Sequence, residues 1–119
     1  RRRVIWLWLS AAFMVTTATV HGFLGERRLI RPLMMLDQGI MGVDLARKIF
    51  RFAWYAMSVL MLVSAAVVIW PGTPRGLILL TGTAWTAVGL FDAVYTRGRH
   101  IGWPVLTASG VFALLGAAA

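Results

Sequence analysis

The chain has 119 residues, 60% hydrophobic and 13% charged, with mean hydropathy +0.79. A soluble domain carries about 25% charged residues, and one of this size cannot hide so much apolar surface in a core. The net charge of +8 lies almost entirely between apolar runs, so it reads as headgroup-facing charge and excludes nucleic acid as the expected partner, while the absence of cysteine excludes disulfides, thiolate metal sites, iron–sulfur clusters and cysteine nucleophiles.

Four runs with a single charge among them, Asp92, cover residues 4–24, 52–70, 76–96 and 101–119. Each has the roughly 20 residues that an α-helix needs to cross about 30 Å of hydrocarbon. The expectation is an all-α integral membrane protein, a four-helix bundle forming a single transmembrane domain. An amphipathic interfacial segment, residues 27–50, is expected between spans one and two.

Span one follows Arg1–Arg3, with Trp6 and Trp8 at its first interface. It is longer than a secretory h-region and leads into Glu26-Arg27-Arg28, so it reads as a retained span. Its middle is rich in Ser, Thr and Ala, which permit close helix contact. His21 and Gly22 lie near its end.

The connection from Gly25 to Arg51 carries six cations against Glu26, Asp37 and Asp44, yet it holds many large apolar residues. That mixture predicts one or two short amphipathic helices at the membrane surface, with Arg27, Arg28, Arg31, Arg47 and Lys48 directed to anionic lipid headgroups. The second of them is expected to run from about Val43 into span two.

Span two opens on Trp54-Tyr55 and closes at Trp70-Pro71-Gly72. The tight turn that follows predicts that spans two and three are antiparallel neighbours. In span three, Ile78, Gly82, Trp85, Gly89 and Asp92 fall on one helical face, which is small and polar and should look inward. Span four repeats Ser109, Ala113 and Ala117 at four-residue spacing, a second packing face.

Arg1–Arg3 and Arg75 flank one side of these spans, and eight cations flank the other. The positive-inside rule then makes the long basic connection cytoplasmic and the termini periplasmic in an inner-membrane protein.

Residues able to carry chemistry gather at the basic side: His21, Glu26, Asp92 and His100, near Arg51 and Tyr55. In the first reading, Asp92 pairs with an arginine such as Arg51 or Arg97 and the histidines sit wet at the interface. In the second, His21 and His100 ligate a haem, or the four residues hold a divalent metal. In the third, Asp92 serves a small transporter. No hydrolase, phosphate-loop or zinc-protease motif is present. The expected function is therefore non-catalytic, with no required cofactor: an accessory or structural subunit packing through Gly82, Gly89, Ser109, Ala113 and Ala117 in a homo-oligomer or larger membrane complex.

The segment His21-Gly22-Phe23-Leu24-Gly25-Glu26-Arg27-Arg28-Leu29-Ile30-Arg31-Pro32-Leu33 resembles a signature of small, uncharacterised bacterial four-span membrane proteins. Arg51-Phe52-Ala53-Trp54 and Gly98-Arg99-His100-Ile101-Gly102-Trp103-Pro104 resemble the same group. The resemblance implies the four-span architecture and carries no activity across. Where that group has a histidine after the span-two tryptophan, this chain has Tyr55, which removes a third imidazole.

Overall fold

A computed structural model describes residues 1–119, all helix and connecting turns, with no strand. Helix α1 runs Arg2–Met34, α2 Asp44–Ile69, α3 Arg75–Tyr95 and α4 Trp103–Ala118. The first three are long and apolar enough to cross a membrane. Helix α4, at 16 residues, rises about 24 Å, so it is shorter than the run of residues 101–119 led us to expect.

The expected interfacial segment is not a separate element. Helix α1 continues through Val20–Leu24 and Glu26–Ile30 as two π-helical stretches, then through Arg31–Met34 as α-helix. Gly25, between the π stretches, keeps right-handed helical angles (φ −62°, ψ −40°), and Pro32, which has no N–H to donate, directly follows the second π stretch and Arg31. At 33 residues, α1 rises about 50 Å. The connection shrinks to the residues around a 3-10 turn at Gly39–Gly42, entered at Gly39 with a left-handed φ of +56°.

The start of α2 is tied down by charge. Asp44 meets Lys48 at 3.0 Å and Arg47 at 3.6 Å, and Arg47 also donates to the Met41 carbonyl at 2.6 Å. Of the five basic side chains expected to face headgroups, Arg47 and Lys48 are thus engaged with Asp44, and Arg31 approaches Glu26 at 3.5 Å. Arg27 and Arg28 have no acidic partner within the chain.

Helix neighbours differ from the order along the chain. The principal pairings are α3 with α4, α4 with α1 and α1 with α2, whereas α2 and α3 touch little despite the tight turn joining them. Helices α1 and α4 take the centre because their facing sides are small. Ser10 on α1 and Ser109, Gly116 and Ala117 on α4 are buried, and Gly116 leaves room for Leu7 of α1. The Ser10 hydroxyl donates to the Ser109 carbonyl at 2.6 Å across this contact. A Cβ added at Gly116 would stand 2.5 Å from the Leu7 side chain.

The α3–α4 contact is equally close. A Cβ at Gly89 would lie 2.5 Å from the Thr107 backbone nitrogen, and one at Gly82 would lie 3.1 Å from the Ala113 Cβ. Gly82 and Gly89 of α3 therefore pack against Thr107, Gly110 and Ala113 of α4 inside the chain, while Ser109 of α4 turns to Ser10 of α1. Helix α2, by contrast, buries only Ala65 and Val68 of its 26 residues. Its outer wall carries Phe52, Leu60, Val59 and Val63, each more than half exposed.

Helix α3 ends in a Schellman motif. Arg97 takes a left-handed φ of 54°, the Gly98 N–H donates to the Ala93 carbonyl at 2.7 Å, and the Arg97 N–H to that of Val94 at 3.2 Å.

Candidate functional site

The polar residues of the basic end form two groups on different helix pairs. The larger lies between α1 and α2. Four positions of α2, Arg51, Trp54, Tyr55 and Ser58, fall on one helical face by their spacing of three and four. They meet His21, Gly22, Gly25 and Glu26 of α1.

The π winding of α1 creates this match. In an α-helix, residues five apart are separated by about 140°, so His21 and Glu26 would face different directions. A π turn closes its hydrogen bonds five residues apart and brings such residues back toward one side. The Gly25 N–H, which an α-helix would direct to His21, donates to Val20 and Gly22 instead. The His21 carbonyl accepts the Trp54 indole N–H at 2.8 Å. The indole also stacks on the His21 imidazole, with ring centroids 3.9 Å apart and 13° between planes.

Gly25 makes room for that indole, since a Cβ there would lie 2.5 Å from Trp54 Cζ2. One turn away, His21 Nδ1 and Ser58 Oγ are 2.9 Å apart. This Ser–His contact lacks the acid that orients the base of a nucleophilic triad, because Glu26 is committed elsewhere.

Glu26 has a side chain 14% exposed and is engaged on both oxygens. Arg51 Nη2 donates to Oε1 at 3.0 Å and to Oε2 at 2.8 Å, and the Tyr55 hydroxyl donates to Oε1 at 2.6 Å. The Arg51 guanidinium, followed by the Tyr55 hydroxyl, holds this carboxyl below the usual carboxylate range. A carboxylate so bound is a fixed anion that joins α1 to α2, poorly placed to act as a general base. Beside it an open-sided groove of about 610 Å³ runs between the two helices, with Arg27, Arg31 and Arg51 at its mouth.

The second group lies at the α3–α4 turn. Asp92 meets His100, Oδ2 to Nδ1, at 2.5 Å, and the Thr96 hydroxyl accepts the His100 backbone N–H at 3.3 Å. Asp92 thus pairs with the histidine eight residues on, where sequence reading expects Arg51 or Arg97. The His100 side chain is 56% exposed and that of Asp92 18%. No three His, Asp or Glu side chains stand close enough together to hold one metal ion. His21 and Glu26 belong to one helix pair, and Asp92 and His100 to the other.

Trp54 and Ser58 did not stand out in the sequence. Trp54 reads as an interfacial aromatic and Ser58 as one hydroxyl in an apolar run. The signal available was their spacing with Arg51 and Tyr55, which makes a polar face on an otherwise apolar helix.

Comparison with family models, with characterised proteins and with solved structures finds no match to this chain.

Proposed function

We propose that this chain is a four-span integral membrane protein, a four-helix bundle that serves without catalysis as an accessory or structural subunit. The observation that carries the reading is α2. It is a 26-residue apolar helix at the edge of the structure, and it leaves large side chains such as Phe52 and Leu60 exposed, at 74% and 65%. In water such a wall would drive aggregation. In a bilayer it is covered by lipid or by a neighbouring protein's helix.

The small-residue faces of α3 and α4 are used within the chain, so self-association or attachment to a larger complex falls to the exposed apolar walls, that of α2 and that of α3 at Leu80, Phe91 and Val94. The basic end faces the cytoplasm and the termini the periplasm of an inner membrane, by the distribution of arginines. The resemblance to small bacterial four-span proteins supports the four-span architecture alone. The polar groups support the non-catalytic reading: Glu26 and Asp92 are both engaged in helix-joining or turn-closing contacts.

The test is alkaline carbonate extraction of membranes containing the full chain, followed by purification in mild detergent. The chain should stay in the membrane pellet and elute above monomer mass, alone or with a stoichiometric partner. Release by carbonate would overturn the membrane reading, and elution as a bare monomer would overturn the subunit reading.

A further inference from the structure

We propose that the groove between α1 and α2 binds one anionic phospholipid, its phosphate against Arg27, Arg31 and Arg51 and an acyl chain running past Phe23 toward Ala18 and Leu62. This rests on the membrane reading of the chain.

Charge is the first observation. Three guanidinium groups line the mouth of the groove, and the one carboxylate there, Glu26, already has both oxygens engaged. Arg27 has no acidic partner, and Arg31 and Arg51, which share the single charge of Glu26, keep side chains 69% and 46% exposed. The guanidinium fork matches phosphate oxygens and is more weakly hydrated than an ammonium. Arg28, the adjacent cation, does not line the groove.

Shape is the second. From Arg27 to Ala18 the groove descends α1 by nine residues, about 13 Å of rise. Its lining changes over that distance from arginine to a mainly apolar wall of Ala18, Phe23 and Leu62, with the hydroxyls of Thr19 and Ser58 beside them. Its volume, about 610 Å³, is in the range of small-molecule sites, roughly 300–1,000 Å³. A free phosphate would fill only the mouth. A phospholipid places its phosphate at the arginines and its hydrocarbon along the apolar floor. The mouth also lies just beyond the apolar run of span one, where headgroups would sit.

The experiment is native mass spectrometry of the full chain released from micelles containing equal amounts of phosphatidylglycerol and phosphatidylcholine. One phosphatidylglycerol should be retained per chain in preference to phosphatidylcholine. The double substitution Arg27→Gln/Arg31→Gln should weaken its retention by about thirtyfold, a loss of about fivefold for each arginine near an anionic headgroup, while Arg28→Gln leaves it unchanged. Excess inorganic phosphate should not displace the lipid. Equal retention of the two lipids by the unaltered chain would overturn the proposal without any variant. So would an equal loss in Arg28→Gln, which would mean diffuse surface charge, or displacement by inorganic phosphate, which would mean a simple anion site. Carbonate extraction reads the membrane reading separately, so its failure is distinguishable from failure of this site.

Discussion

The Trp54 indole lies flat on the His21 imidazole, centroids 3.9 Å apart, while its N–H reaches the His21 backbone carbonyl at 2.8 Å. One side chain of α2 thus reads both the ring and the backbone of a single residue in the π stretch of α1. That double contact ties the unusual winding of α1 to the packing of α2.

Trp54→Phe keeps an aromatic ring for the stack and removes the donor. It should cost about 1 kcal/mol, the net value of one hydrogen bond. Trp54→Ala removes the ring as well and should cost about 3–5 kcal/mol. Thermal unfolding in detergent separates the two: no loss in Trp54→Phe would show that the indole N–H contributes nothing, and equal losses would show that the stacked ring contributes nothing.

Gly25→Ala places a methyl 2.5 Å from Trp54 Cζ2. In an ordinary helix alanine would stabilise relative to glycine. Here the indole must move, so the substitution should destabilise by about 1–3 kcal/mol. Tryptophan fluorescence should shift as the stack opens, and a stabilised protein with an unchanged spectrum would contradict the close approach.

Glu26→Gln removes the charge that Arg51 and Tyr55 address. Because the folded-state value of Glu26 is depressed, its contribution is fully present above its ordinary value of 4.5 and is lost as pH falls through the lower folded value. Acid titration of stability should show that loss in the unaltered chain and a flatter profile below pH 4.5 in Glu26→Gln. Parallel curves would remove Glu26 from the account.

Gly89→Leu drives a side chain into Thr107 of α4, whose backbone nitrogen would stand 2.5 Å from the added Cβ. Separation of α3 from α4 should cost about 1–3 kcal/mol or more. Leu60→Ala, on the exposed wall of α2, should leave monomer stability nearly unchanged and lower any association that this wall supports. Measured together by unfolding and by mass in detergent, the two substitutions distinguish the inner packing face from the outer one.

Asp92→Asn weakens the contact with His100, whose side chain is 56% exposed. A pair so exposed contributes about 0.2–1 kcal/mol, so the helices should persist with a small loss in stability, read by circular dichroism during heating. Collapse of the fold would assign Asp92 a much larger role.

Residue types and spacing alone determined that the chain is helical, where its apolar runs lie, and which faces of α3 and α4 are small enough for close contact. These follow from run length and local periodicity, which need no knowledge of neighbours. The tertiary structure decided which helices meet. Chain order makes α2 and α3 neighbours, but the small faces of α1 and α4 draw those two to the centre and leave α2 at an edge. It also turned residues 27–34, the first part of the expected surface segment 27–50, into a continuation of α1, where Gly25 makes room for Trp54. The four polar residues read as one cluster are divided for the same reason: His21 and Glu26 follow α1 to α2, while Asp92 and His100 close the turn between α3 and α4. Periodicity at 3.6 residues could not place His21 and Glu26 on one side, since that needs the π winding of Val20–Leu24 and Glu26–Ile30, which departs from the α period.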